Sequence, residues 1–336
     1  MRKIRIAQIG TSNFSHGNHI FATLKKYDDL FEIVGYALPE NEREKFPHLM
    51  PVFEGCREMS VEEILANPEI EAVAIETEEI YLTKYARMAA EAGKAIHMEK
   101  PGGMDLCSFE SLISTVKEKK VSFHVGYMYR YNPEIIRLVK RVKNGELGDV
   151  VFVEAQMNTD HGTEAREFLR NFPGGIMFFL GCHMVDLIVQ FLGIPRNVVP
   201  FNKGTEKGGV SSVDNGFAVL EYEKATAFAK SCSVEVGGFA RRQLVVTGTK
   251  GTVELRPLEI FIDGIAHCTG VTECLDQNAP AWLYAGENRE SEVYDRYGGM
   301  MAAFAQYVRG EGENPFSPDY ELELYRTVLK CAGMME

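Results

Sequence analysis

The chain has 336 residues, 45% of them hydrophobic and 25% charged, which are the proportions of a folded globular protein and exclude a disordered or fibrous one. Its 48 acidic against 36 basic residues leave a net charge of −12, which argues against nucleic acid and anionic membrane surfaces as partners, since both demand an excess of cations. No apolar run reaches the roughly 18 residues of a membrane-spanning helix, and the richest stretch, Ile176 to Leu192, is broken by His183 and Asp186.

At about 100–200 residues per domain, the length predicts two domains. The first opens with the β-branched run Lys3 to Ile9, which leads quickly into glycine and so reads as a strand and not a signal peptide. A helix is predicted over Asn18 to Tyr27, a second strand over Phe31 to Leu38, and a short third strand over Pro51 to Phe53. Ser60 and Glu63 have the spacing of a capping box, in which two side chains satisfy the free N–H groups of a helix start. A buried strand, Ala72 to Ile75, precedes a helix over Lys84 to Ala92 that stops at Gly93, the usual residue for a left-handed cap. Strand Ala95 to Met98, the amphipathic helix Asp105 to Lys120 and strand Val121 to Val125 complete the series.

Strands alternating with helices of about 10–15 residues predict an α/β fold, a doubly wound parallel sheet covered on both faces. Ligands of such sheets sit beyond the carboxyl ends of the strands, so chemistry is expected after Ile9, Leu38, Ile75 and Met98. The second half changes character. A helix over Pro133 to Lys143 is followed by alternating strand patterns at Val150 to Met157, Gly216 to Tyr222, Ala225 to Val236, Leu244 to Thr247 and Thr252 to Leu255. Turn signals at Glu223-Lys224 and Gly248-Thr249-Lys250-Gly251 predict hairpins, hence an α+β domain with an antiparallel or mixed sheet. The domains are read as 1–123 and 124–336.

Seven cysteines are scattered without any C-x-x-C pair, a pattern of reduced thiols in a cytoplasmic protein that offers no zinc site. His16-Gly17-Asn18-His19 lacks a third ligand, so no metal is expected.

Two segments carry chemistry by position. The turn Gly10-Thr11-Ser12-Asn13-Phe14-Ser15-His16-Gly17 lies where a dinucleotide pyrophosphate would rest on a helix N-terminus. Only Gly10 fits G-x-G-x-x-G, with Ser12 and Ser15 at the other glycine positions, and a plain strand-to-helix turn accounts for it about as well. Glu99-Lys100-Pro101 follows the strand Ala95 to Met98, where an ammonium facing the cleft can hydrogen-bond a hydroxyl and stabilise an alkoxide. The ordinary fate of a lysine is a solvated surface.

These segments, with Val125-Gly126-Tyr127-Met128-Tyr129-Arg130-Tyr131-Asn132-Pro133, Lys143-Asn144-Gly145-Glu146-Leu147-Gly148, Pro173-Gly174-Gly175, Gly181-Cys182-His183-Met184-Val185-Asp186 and Val246-Thr247-Gly248-Thr249-Lys250-Gly251-Thr252, resemble the Gfo/Idh/MocA oxidoreductases, the glucose–fructose oxidoreductase and inositol dehydrogenase group. The resemblance spans nearly the whole chain. It implies a Rossmann domain that binds NAD or NADP, and a second domain with an open, mostly antiparallel sheet that often mediates homo-oligomerisation, to a dimer or tetramer. It implies hydride transfer at a secondary alcohol of a sugar, cyclitol or related small molecule. Lys100 matches the family's active-site lysine and His183 its acid–base histidine. The cofactor side falls on Gly10, Thr11, Ser12, Asn13, Phe14, Thr77, Glu99 and Lys100, and the substrate side on Arg130 and His183, with Asp160 and His161 added from their place at a strand end.

Three departures stand out. Phe179 occupies the place of a common family aspartate, and Leu38 that of the ribose-binding acid, with Glu40 the nearest substitute. Thr77-Glu78-Glu79 replaces the usual Thr-Pro-Asn and puts two carboxylates where a pyrophosphate or ribose would be repelled unless they turn to solvent. Leu38 also leaves NAD and NADP undistinguished. A non-catalytic, ligand-binding or regulatory relative is the alternative these departures favour.

Overall fold

A computed structural model describes residues 2–280 and 282–335. They form two compact units, Met1–Met128 with Tyr297–Tyr325, and Tyr129–Arg296 with Arg326–Glu336.

In the first unit, β1 (Ile4–Ile9), α1 (Gly17–Lys26), β2 (Phe31–Ala37), α2 (Glu42–Lys45), α3 (Val61–Ala66), β3 (Ala72–Ile75), α4 (Leu82–Glu91), β4 (Ala95–Met98), α5 (Leu106–Lys119) and β5 (Phe123–Val125) build a parallel sheet of order β2-β1-β3-β4-β5. Strands β3, β4 and β5 are buried along their whole length, as a sheet covered on both faces requires. The order reverses between β1 and β3, so the crevice at their carboxyl ends is the expected ligand position. Ser60 and Glu63 form the expected capping box at the start of α3, with Ser60 Oγ accepting from the Glu63 amide at 3.1 Å and Glu63 Oε2 from the Ser60 amide at 2.7 Å. The strand expected over Pro51 to Phe53 is instead part of a 3₁₀ segment, Pro47–Phe53. Pro51 offers no amide to a ladder, and Phe53 turns inward to stack on Tyr36 and pack at a tilt against Phe21.

The second unit contains α6 (Pro133–Lys143), β6 (Val150–Asn158), α7 (Thr163–Phe168), α8 (Cys182–Leu192), β7 (Asn197–Pro200), β8 (Asn215–Glu221), β9 (Thr226–Cys232), β10 (Gln243–Gly248), β11 (Gly251–Leu255), β12 (Ile260–Asp263), β13 (Ala266–Cys268), β14 (Gly270–Cys274), β15 (Glu287–Glu290) and β16 (Tyr294–Asp295). Its main sheet has the order β15-β14-β11-β10-β6-β9-β8-β7, and β12-β13-β16 form a smaller one. Among the main sheet's pairs β6 and β9 are parallel and the others antiparallel, so the mixed sheet expected is found. Helix α8 packs on β6 and β9.

Helices α9 (Gly298–Arg309) and α10 (Pro318–Cys331) correct the boundary read at 123/124. The chain returns to the first unit over Tyr297–Tyr325 because α9 sets Phe304 against the buried rings of His97 and His124, with centroids 5.8 and 5.6 Å away. Among the described residues no helix is long and apolar enough to cross a membrane.

Candidate active site

Gly10 has φ +89°, and a Cβ there would lie 2.5 Å from Thr77, so only glycine lets the turn after β1 pass the end of β3. The two serines at the other glycine positions close the turn. Ser12 Oγ accepts from the amides of Phe14 (3.2 Å) and Ser15 (2.9 Å), while Ser15 Oγ accepts from Ser12 (3.1 Å) and Gly17 (3.2 Å) and donates to Glu76 O at 2.8 Å. Such neutral hydrogen bonds contribute about 1 kcal/mol each, less than a charge-assisted bond from the same amide to a phosphate. A dinucleotide pyrophosphate placed at this turn would have to take over amides now held by hydroxyls.

The Thr11 amide is held differently. It donates to Glu42 Oε2 at 3.2 Å, and Thr77 Oγ1 donates to Glu42 Oε1 at 2.5 Å, so a buried carboxyl from α2 ties the turn after β1 to the end of β3. Burial pushes the Glu42 carboxyl up to about 8, against the bonds from Thr77 and Thr11 and the charge of Lys45, with Glu78 adding to the rise. A carboxyl raised in the folded state adds stability that is full below its ordinary value of 4.5 and is lost as pH climbs through about 8. Thermal melts across that interval should fall less steeply for Glu42→Gln than for the parent chain; parallel curves would remove Glu42 from the pH response.

The ends of β3 and β4 carry the remaining groups of this unit. Lys100 is 1% exposed and its Nζ lies 3.5 Å from Glu99 Oε1. Glu99 Oε2 receives the His16 amide at 3.2 Å and His16 Nδ1 at 2.9 Å, and Glu99 Oε1 receives the Lys100 amide at 3.1 Å. Burial alone would raise the Glu99 carboxyl, but His16 and Lys100 overcome it and hold the group well below the usual carboxylate range. Glu76 lies beside it, fully buried, with its pKa raised by burial and by Glu99. The expectation that Glu78 and Glu79 either repel a cofactor or turn to solvent meets a third outcome. Glu78 pairs with Lys45 at 2.7 Å, whereas Glu79 turns inward, where burial pushes it up to about 8 against the pull of Lys100. Glu40, the nearest substitute for a ribose acid, is committed to Lys84 Nζ and Tyr85 Oη, both at 2.6 Å.

Gly10, Thr11, Ser12, Asn13, Phe14, Thr77, Glu99 and Lys100 thus share the carboxyl edge of one parallel sheet. The other expected residues belong to the second unit. His183 is buried in the first turn of α8, edge-on to the Tyr129 ring at 5.4 Å. A π-helical turn, Met177–Gly181, leads into it, a widened turn of the kind frequent at functional sites. Phe179 lies in that turn and stacks parallel on Phe172 at 5.9 Å, so the place of an acid is filled by an aromatic core. Arg130 is buried, with Nε and Nη2 donating to Asp186 Oδ1 at 2.9 and 2.7 Å; its guanidinium is engaged with α8. Asp160 and His161 end β6 as expected but separate: Asp160 is exposed and pairs with Lys207 at 2.9 Å, while burial lowers His161 to about 4. Sequence reading missed Glu42 and Glu76. An acid directly after the wholly apolar run Ala72–Ile75 was the one available signal for Glu76.

Comparison with known proteins agrees with this architecture. Residues 4–127 match the family model for the oxidoreductase family, NAD-binding Rossmann fold, and residues 135–254 match the GFO/IDH/MocA C-terminal domain. The chain is 31% identical over 213 residues to scyllo-inositol 2-dehydrogenase (NAD(+)) of Bacillus subtilis, covering 59% of this chain and 60% of that one. It is 24% identical over 288 residues to trans-1,2-dihydrobenzene-1,2-diol dehydrogenase of Bos taurus, covering 81% and 79%. Three of the curated relatives it matches are spanned over only 54–60% of their own length. The solved structure of aldose-aldose oxidoreductase from Caulobacter crescentus superimposes with a TM-score of 0.78 at 19% identity, over 99% of this chain and 97% of that one, which speaks for the fold. On both units' matches together, the chain belongs to the GFO/IDH/MocA oxidoreductase family.

Proposed function

We propose that the chain is an NAD(P)-dependent oxidoreductase that transfers hydride between a nicotinamide cofactor and a secondary alcohol or ketone of a sugar, cyclitol or related small molecule. The observation that carries this reading is Lys100, a fully buried ammonium held beside the Glu99 carboxylate at the carboxyl end of β4. Lysines are almost never buried without a matched charge, and strand ends of this sheet type are where ligands bind. Relatives named as inositol and dihydrobenzenediol dehydrogenases support the substrate class.

In this reading Gly10, Thr11, Ser12, Asn13, Phe14, Thr77 and Glu99 hold the dinucleotide, whose bound nicotinamide supplies the hydride donor or acceptor. Lys100 donates a hydrogen bond to the reacting oxygen, and His183 exchanges its proton, a role suited to an imidazole. Arg130 contributes through Asp186, by fixing the helix that bears His183, while Asp160 and His161 stand on the substrate side. The choice between NAD and NADP stays open at Leu38. Seven free thiols suit a reducing cytoplasm, and assembly as a homo-dimer or tetramer completes the reading.

Titration with NADH and NADPH, followed by nicotinamide fluorescence, tests it: micromolar binding is expected for at least one. No binding at millimolar cofactor would overturn the enzyme reading. That result would favour a non-catalytic binding member, for which the aromatic stack at Phe179 is the specific support.

A further inference from the structure

Three arginines are buried among the described residues, and two of them face a carboxylate: Arg130 donates to Asp186, and Arg242 lies 3.4 Å from Glu259. The third, Arg166 in the last turn of α7, is 3% exposed and pairs with no acid of the described residues. Its Nη1 donates to the Lys207 carbonyl, and its Nε meets no acceptor among them. Arginine does not shed its proton, and a carbonyl or a water satisfies a donor without balancing a full positive charge. The carboxyl end of a helix supplies roughly half an elementary charge at most. Glu164 and Glu167, the acids of the same helix, are exposed, and Lys207 is matched by Asp160 at 2.9 Å. The unbalanced charge is that of Arg166.

Its place ties it to the substrate side of the candidate site. Strands β6 and β9 run parallel, and their carboxyl ends meet at Asn158 and Cys232. Asp160 and His161 follow β6 there, and the bonds from Lys207 to Asp160 and from Arg166 to Lys207 hold the guanidinium at the same end. The π-helical turn before His183 lies there as well, since a Cβ on Gly181 would come 3.5 Å from Ser231, the neighbour of Cys232 on β9. Phe168, two residues after Arg166, meets Phe179 of that turn edge-on at 5.7 Å. The Nδ1 of His161 is buried at this end too, and likewise has no partner among the described residues.

With Nη1 taken by Lys207, the Nε–Nη2 edge of the guanidinium is left, two parallel N–H groups at the spacing of the two oxygens of a carboxylate. Gly208 borders Nη2 without a side chain, and a Cβ there would lie 3.5 Å from it. A carboxylate sets one negative charge against one positive. A phosphate carries about −1.5 to −2 and calls for a second cation, whereas Lys207 is already held by Asp160. We infer that Arg166 anchors a carboxylate carried by the substrate, so that the alcohol or ketone on which the chain acts belongs to a sugar acid and not to a neutral sugar or cyclitol. This deepens the hydride-transfer reading above and rests on it. Arg166 is accordingly a specificity-determining residue: it holds the far end of the substrate, while Lys100 and His183 keep the roles given them at the reacting oxygen.

Calorimetric titration of the full chain with matched pairs tests this: glucuronate against glucose, galacturonate against galactose, gluconate against glucitol, and glucose 6-phosphate as the phosphate arm. At least one acid should bind about tenfold or more tightly than its neutral partner. Arg166→Gln, which can still donate to the Lys207 carbonyl, should weaken that acid about 10–100-fold and leave the neutral partner unmoved. In turnover the loss should fall on KM with kcat little changed, because an anchor binds substrate and transition state alike. The ligand-free variant should melt at or above the parent, since it loses an unbalanced buried charge. Should Arg166→Gln not fold, Arg166→Lys, which keeps the charge without the two-donor edge, should show the same weakening in smaller degree. Equal affinity for acid and neutral partner in all three pairs would overturn the carboxylate, and so would tightest binding of glucose 6-phosphate. A preference for acids that survives in Arg166→Gln, with a lowered melting point, would make Arg166 a brace for the Lys207 loop. Failure of the parent to bind nicotinamide would overturn hydride transfer, while the titrations would still decide what Arg166 holds.

Discussion

Replacing Lys100 with methionine is expected to lower kcat by about 10²–10⁴-fold, the range typical of a positioned acid–base group. Methionine keeps an unbranched apolar stem of similar length and removes the ammonium alone. The fold should survive, because Glu99 retains three donors: the His16 amide, His16 Nδ1 and the amide of residue 100 itself. Nicotinamide affinity should change by no more than about tenfold, the equivalent of one hydrogen bond. Lys100→Arg separates charge from proton exchange. An arginine keeps the cation but cannot give up its proton, so it too should be inactive if Lys100 moves a proton, and partly active if it only supplies charge. Turnover of the methionine variant at the parent rate would remove Lys100 from the chemistry altogether.

The alternating half of the chain is legible because its signals are local. Ala95–Met98 and Ala72–Ile75 are apolar runs bounded by clear stops, and the Ser60 capping box marks a helix start with its own hydrogen bonds. Pro51 to Phe53 misleads because an aromatic and a β-branched residue suit a strand, while the two prolines and the Phe21–Tyr36–Phe53 packing favour a 3₁₀ turn. Beyond Leu255 the short strands of the small sheet carry too few residues for a period to emerge, and helices α9 and α10 went unread with them. At the site, Lys100 and Glu99 declare themselves by their place after a strand. Glu76 does not, since what makes it unusual is the pairing of β3 with β4, which sets Ile75 opposite Met98 and brings His97 Nε2 to 3.3 Å from its carboxyl. Glu42 is equally silent: its importance lies in a bond to Thr77, 35 residues away in sequence.

Removing the carboxylate of Asp186 is expected to cost about 3–5 kcal/mol of stability, because the buried Arg130 guanidinium would lose the carboxylate it donates to twice. Both side chains are shielded from water, and Arg130 donates twice to one oxygen of Asp186 while Gln190 donates to the other at 3.0 Å. Burial raises the Asp186 carboxyl, and Arg130 opposes that rise, so the two charges depend on each other. Asp186→Ala should therefore lower the thermal midpoint on the order of 10 °C. An exposed pair such as Arg196–Glu223 is the control, and breaking it should cost about 1 kcal/mol or less. The double variant Arg130→Met/Asp186→Leu decides what the pair is for. If its charges merely compensate one another, an apolar replacement of similar volume should recover most of the stability. Where His183 depends on the pair to fix α8, that stable double variant should still turn over more slowly than the parent, with the loss in kcat. Full activity together with recovered stability would make Arg130 and Asp186 packing residues and leave His183 positioned by α8 alone.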